Sequence, residues 1–260
     1  MARAGRDFIA CRWVSVAHGV AVAVFGAALF AIARDRFWLL AGAFSGFLVV
    51  APVLATGLYA LSRALERGEK ADFALLVRTW TRWGVNRRSD PSSYWCLVRF
   101  GLLLAFAGTG WVLTSAAFIT LFSPVAISSP EDFVRHVVLA PDHFVFEAWL
   151  TMGGLLAAPV FASSVISMPL LLDRHVNALD AVLVSWRVVM ANPVTMAVWA
   201  LMLMLFTFCG FVTALLGMMA IVPMLGHASW HAYRDLVDAS AISERVAAND
   251  VTGTATRAHA

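Results

Sequence analysis

The chain has 260 residues, of which 61% are hydrophobic and 13% charged. A soluble domain averages about 50% apolar and about 25% charged residues, so a water-soluble globule of this length lacks the polar surface to cover so much apolar matter. The net charge of +3 does not mark a nucleic-acid partner, because the basic residues flank apolar runs, where they act as topology signals.

Only helices and closed barrels satisfy backbone hydrogen bonds in lipid. The apolar runs here are continuous rather than alternating, so the expected fold class is all-α, a polytopic transmembrane helix bundle. A span needs about 20 apolar residues at a rise of about 1.5 Å each. On that rule the spans fall at 13–33, 37–62, 97–122, 144–168, 194–209 and 211–233. The first reads as a retained span, since the run Val14–Ala33 is too long for a signal h-region and no small-x-small cleavage site follows it. The region 194–233 carries no charge before Arg234, and one helix over it would be about 60 Å long, twice the hydrocarbon thickness. It is divided near Cys209–Gly210. No polar turn marks the division, and a single long kinked helix is the alternative.

Charge supports six spans with both termini inside. The segments 1–12, 63–99, 169–193 and 234–260 then hold 3, 8, 2 and 3 Lys/Arg, which is 16 of 19. Five spans would leave 13 against 6, a weaker positive-inside bias. Two segments, 70–84 and 177–190, mix apolar residues with Arg and Trp and read as amphipathic helices on the inner surface. The outer loop 123–143 carries Pro124, Pro130 and Pro141 as breakers. The domain is expected to cover 1–240, with a polar, disordered tail over 241–260.

Three spans share a pattern. Pro52, Pro159 and Pro223 are each followed by two large apolar residues, a small one and a polar one. Arg63 and Arg234 each lie eleven residues beyond their proline, and Arg174 lies fifteen beyond Pro159. The expectation is three helical hairpins, each returning inward through a helix kinked at its proline.

The densest polar cluster is Gly226-His227-Ala228-Ser229-Trp230-His231-Ala232-Tyr233-Arg234. His227 and His231 are four apart and share a helix face, as do Trp230 and Arg234. The histidine pair is the candidate metal or haem ligand set, although a metal site asks for three or four ligands. Interfacial anchoring by Trp230, Tyr233 and Arg234 is the plainer reading. His18 and Glu147 are ionisable residues inside spans and therefore functional candidates, with Arg34 or Arg36 as partners for Glu147. Glu66 is placed to pair with Arg63 or Lys70. Glycines such as Gly42, Gly46, Gly108, Gly110, Gly153, Gly210 and Gly217 suit close helix packing. Cys11, Cys96 and Cys209 are far apart and form no CxxC, so no disulfide framework or iron–sulfur motif is read, and no cofactor is strongly implied. No Walker loop, HExxH or Ser-His-Asp order is present, and no catalytic residues are assigned.

The residues Gly46-Phe47, Pro52, Gly57-Leu58-Tyr59-Ala60-Leu61-Ser62-Arg63 and Glu66-Arg67-Gly68-Glu69 carry a likeness. So do Ser167-Met168-Pro169-Leu170-Leu171-Leu172-Asp173-Arg174, Asn192-Pro193 and Trp199-Ala200, and the run from Pro223 to Arg234. Together they resemble the bacterial integral membrane proteins grouped as domain of unknown function 2189, over about 37 to 237, with Gly226–Arg234 the most specific part. The resemblance implies a multi-pass inner-membrane protein, some of whose relatives carry the label of cytochrome c oxidase subunit. An oxidase catalytic subunit needs about a dozen spans and several haem and copper histidines at fixed places, more than this chain has. The reading is therefore a non-enzymatic accessory, assembly or scaffold protein, with the lipid bilayer and other membrane subunits as partners and no nucleic acid. A small-solute permease built on the proline-kinked hairpins is the alternative, and a haem- or metal-binding redox protein the second.

Overall fold

Long apolar runs in this chain form helices, because a helix pairs its backbone groups within itself. A computed structural model describes residues 1–81 and 95–245, and among these the regular structure is helical apart from a single bridge, Arg174 to Glu244. The elements in order are α1 (Ala2–Ala10), α2 (Arg12–Ala33), α3 (Phe37–Leu54), α4 (Thr56–Glu66), α5 (Phe73–Thr81) and α6 (Trp95–Phe122). Then come α7 (Pro130–Phe133), which runs into a wider π turn at Val134–Val138, α8 (Phe144–Ser164), α9 (Ser167–Asp173), α10 (Ala178–Ala191), α11 (Pro193–Val212) and α12 (Met218–Leu236).

Four stretches among the described residues are long and apolar enough to cross a membrane: Arg12–Ala33, Cys96–Phe122, Phe144–Asp173 and Pro193–Val212. A bent pair, Phe37–Val49 with Ala51–Glu66, makes a fifth when taken as one broken span. Composition therefore yields four or five spans rather than the expected six. The helix left out is α12, whose second half carries His227, His231, Arg234 and Asp235.

The region 194–233 is two helices, but the division lies at Thr213–Gly217, not at Cys209–Gly210. The turn is apolar, which is why no polar signal marks it. Ala214 and Leu215 adopt positive φ (51° and 70°), a conformation that breaks a right-handed helix. The Thr213 hydroxyl holds the turn, accepting from the Gly217 amide at 2.9 Å and lying 3.0 Å from the Gly210 carbonyl.

The three prolines act differently. The helix stops at Ala55, three residues beyond Pro52, and at Val165–Ile166, six beyond Pro159, whereas α12 runs unbroken through Pro223. Proline deprives the carbonyl four residues before it of a helical donor, which in α12 is Met219. That carbonyl faces Gly19 of α2, where a Cβ would collide with it. The missing side chain lets the two backbones meet.

The chain clusters into two compact units, one of Met1–Ala23, Pro52–Gly101 and Ala162–Ala260, the other of Val24–Ala51 and Leu102–Phe161. In the first, Cys11, Val14, Leu58, Leu61, Ala64 and Leu75 form an apolar core. There α12 packs against α1, α4, α9 and α11. In the second, Ile119, Ile127 and Val137 are surrounded by Phe37, Trp38, Phe118, Phe133, Phe146 and Trp149, and the Trp149 indole donates to Ser115 Oγ at 2.6 Å. Gly108 lies against Val49 and Gly46, and a Cβ at Gly42 would sit 3.1 Å from Val112, so this GxxxG packs inside the unit.

Of the two expected surface helices, 177–190 forms as α10, capped by Asn177, whose Oδ1 accepts from the Asp180 amide at 2.8 Å. The other forms as α5 over Phe73–Thr81, and residues 82–84 lie outside the described residues. The polar tail expected from 241 opens with an attached segment. The Arg245 amide donates to the Asp173 carbonyl at 2.9 Å and the His175 amide to that of Ser243 at 3.0 Å, while 246–260 lie outside the described residues.

Candidate functional site

The ends of α4, α9 and α12 are amphipathic in sequence, yet in the first unit much of each is buried, with Glu66, Arg234 and Asp235 left exposed. Every residue from Thr56 to Ala64 is buried, as is every residue from Ser167 to Asp173. In α12, His227, Trp230 and Tyr233 are 0%, 1% and 0% exposed. This corrects the interfacial-anchor reading for Trp230 and Tyr233. Trp230 packs on Tyr233 with ring centroids 5.5 Å apart, and Arg234 reaches Glu66 at 3.3 Å instead of stacking on Trp230. Glu66 therefore pairs across helices, not with Arg63 or Lys70 on its own.

Two polar groups meet here. The first centres on Asp173. Its carboxylate accepts from Arg174 Nε at 2.9 Å and the Tyr233 hydroxyl at 2.8 Å, and lies 3.0 Å from Arg63 Nε as an ion pair, with Arg67 and Arg234 each 3.9 Å away. The three arginines that the repeat places at the ends of its helices, Arg63, Arg174 and Arg234, thus converge on one buried acid. Arg63 also donates to the Arg245 carbonyl, and Arg245 donates to that of Leu171 at 3.1 Å. Beside them, burial and the cations Arg245 and Arg63 push the His175 imidazole below its ordinary value.

The second group centres on Asp7 of α1. Ser62 Oγ donates to Asp7 Oδ2 at 2.7 Å, and His231 Nε2 lies 2.8 Å from the same oxygen. Having spent its one proton, Ser62 accepts from His227 Nδ1 at 2.7 Å. A neutral imidazole carries one N–H, so His227 Nε2 is the acceptor and Ser15 Oγ donates to it at 2.9 Å. Cys11 Sγ lies 3.2 Å from Ser15 Oγ and 3.0 Å from the Asp7 carbonyl. Burial raises the Asp7 pKa, but the hydrogen bonds from His231 and Ser62 and the nearby imidazoles outweigh it, and the carboxyl is held below its ordinary value.

His227 and His231 do share a helix face, and both are held by Asp7, one directly and one through Ser62. Haem iron or a metal would have to displace those bonds from His227, whose two nitrogens are both engaged. Among the described residues, no three His, Cys, Asp or Glu side chains converge as metal ligands. Ser15 and His227 have the spacing of a nucleophile and its base, but each is 0% exposed, so no substrate carbonyl reaches Ser15.

Of the other candidates, His18 lies in α2, 8% exposed, with Nε2 buried and unpartnered. Glu147 is exposed in the first turn of α8, and Arg34 lies 3.7 Å from Asp35. Sequence reasoning missed Asp7, Ser15, Ser62 and Arg245 as site residues. Asp7 was detectable as the lone acid in a short basic amphipathic segment ahead of the first span. Ser15 and Ser62 left no signal, since single serines are common in membrane helices.

A family model described as a predicted integral membrane protein, domain of unknown function 2189, matches residues 39–173. The match ends at Asp173 and does not reach the Gly226–Arg234 run. Searches of curated proteins and of solved structures return no match.

Proposed function

The chain belongs to the family of predicted integral membrane proteins called domain of unknown function 2189, and from that premise we propose that it is a non-enzymatic accessory, assembly or scaffold protein of a bacterial inner membrane. It acts through helix contacts with other membrane subunits, beside a respiratory complex or a comparable assembly. The observation that carries this reading is α11. Only 11% of its apolar window is buried within the chain, against 33%, 22% and 50% for Arg12–Ala33, Cys96–Phe122 and Phe144–Asp173. Val198, Met204, Leu205 and Phe208 are 52%, 61%, 52% and 64% exposed. A span that contributes so little to its own fold leaves most of its circumference to lipid and to neighbours, and shape-matched packing is what joins helices in lipid. The polar clusters at the helix ends act as clasps: their groups are bonded to each other, which suits holding helices together more than binding a cofactor.

The test is mild-detergent purification of the full chain, with identification of what accompanies it and an absorbance spectrum of the same sample. Membrane subunits should co-purify with the wild type, and Val198→Trp or Leu205→Trp should remove them without lowering accumulation. A solitary protein sinks the accessory reading and directs attention to solute transport. A Soret band or stoichiometric metal overturns it in favour of ligation by His227 and His231.

A further inference from the structure

Beyond that reading, we propose that Ser15, His227, Ser62 and Asp7 form a proton-transfer path from the water-facing side of α1 to the imidazole of His18, which is a proton-loading site inside the first span. The links are 2.9 Å from Ser15 to His227, 2.7 Å from His227 to Ser62 and 2.7 Å from Ser62 to Asp7. At the outer end, the Asp7 side chain is 14% exposed and is joined by His231, while Glu66 and Arg234 are 31% and 38% exposed. Water therefore reaches that end and not the other.

Three features favour transfer over a static lock. The hydrogen-bond arithmetic points every donor the same way: Ser15 to His227, His227 to Ser62, Ser62 to Asp7. A chain of aligned donors can pass a proton along its length, because each member releases one as it receives one. The inner end is also incomplete. His18 is three residues from Ser15 and shares its helix face. Its Nε2 is buried with no hydrogen-bond partner. A buried nitrogen left unpaired costs stability unless a proton acceptor, a donor or a water completes it. Finally, holding α1 would need only the bond from Asp7 to His231; the buried continuation through Ser62 and His227 to Ser15 adds polar groups that have to be desolvated.

The step balances. A proton on His18 Nε2 passes across one bridging water to Ser15 Oγ as Ser15 gives its own to His227 Nε2. His227 gives its Nδ1 proton to Ser62 as Ser62 gives its own to the Asp7 carboxylate. One proton leaves His18 and one arrives on Asp7. Only O–H and N–H bonds change, the His227 ring ends as the other tautomer, and loading is the reverse. The charged or titratable groups facing this path are Asp7 from α1, Cys11 at its C-terminal cap, Glu66 from α4, and His231 and Arg234 from α12; His18, Leu76 and Trp80 all lie around Gly57.

The experiment is solvent exchange of ring N–H protons by NMR, on the full chain with ring-labelled histidine in lipid nanodiscs. The His18 and His227 protons are expected to exchange with bulk water in the wild type. Ser62→Ala should slow exchange at His18 by about tenfold or more, and Ser62→Thr, which restores a hydroxyl, should recover it. If Ser62→Ala does not accumulate, Ser15→Ala interrupts the path one link nearer His18 and is read in the same way. Unchanged exchange at His18 when the hydroxyl is removed overturns the path. So does a wild type whose ring protons are already sealed from water, which would make the chain a lock and nothing more.

Discussion

Asp7 and Asp173 are the two acids on which the helix ends close, and they differ in what removing them should do. Asp173 is 2% exposed and faces the guanidinium groups of Arg63 and Arg174. Taking one partner from a buried ion pair leaves an uncompensated charge, which costs about 3–5 kcal/mol. Asp173→Ala is therefore expected to cut accumulation sharply and lower Tm in detergent, and an unchanged Tm would refute the central place of this residue. Asp7 titrates below its ordinary value in the folded chain. Its contribution is complete above the unfolded carboxylate value of about 3.9 and is lost as pH falls through the lower folded value. The Tm gap between wild type and Asp7→Asn should be present at pH 7, persist to about pH 4 and close below it. A gap that widens in acid would contradict the assigned bonds. Neither role was visible at this scale in the sequence. Asp7 and His231 are 224 positions apart, and Glu66 has plausible local partners that it does not use.

At the scale of elements, glycines that look alike in sequence do different work. Gly19 sits where the Met219 carbonyl, freed by Pro223, meets α2, and the obstacle to a side chain there is backbone, which no rotamer change relieves. A Cβ at Gly110 would touch nothing within 4 Å. Gly19→Val should cost about 1–3 kcal/mol or more through overpacking, while Gly110→Ala should be neutral or slightly stabilising by helix propensity. Thermal unfolding of the two variants side by side checks this, and equal effects would refute the close approach. The GxxxG of Gly42 and Gly46 was legible as a packing motif, although not which helix it would meet. Proline positions were legible too, but their outcomes were not. Pro52 and Pro159 precede helix breaks, whereas at Pro223 the neighbouring α2 supports the helix through its kink site. The division of 194–233 lies a few residues beyond Cys209–Gly210, because an apolar turn built on Thr213 and two positive-φ residues has no polar signature.

For the whole molecule, the arrangement of helix ends bears on how many times the chain crosses. In the first unit, the Arg3 guanidinium pairs with Asp235, and the ends of α4, α9 and α12 gather around Asp173. The start of the first span and the ends of three returning helices therefore sit together. If they lie at one membrane face, the chain crosses an even number of times before each of them, in three hairpins. α12 would then be a sixth crossing whose polar half is shielded by protein. Substituted-cysteine labelling from each side of the membrane is expected to find Arg3, Glu69 and Asp238 accessible from one side, with Ser128 accessible from the other. Labelling of Asp238 from the side opposite Arg3 would exclude a crossing by α12.

The class, an all-α multi-pass helix bundle, came from the sequence alone, because the bilayer imposes a local rule. Each span must be about 20 apolar residues of helix, and such runs are visible wherever they occur. Basic residues at their ends carry an expected orientation by an equally local rule, which the labelling experiment tests. The pairing of polar groups obeys no local rule. His227, His231, Arg63 and Arg234 could be picked out as unusual, but their partners Asp7, Ser15, Ser62 and Asp173 lie up to 224 residues away. Only packing brings them into contact, so only the tertiary structure could turn a suspected histidine pair into a chain of hydrogen bonds closed on an aspartate.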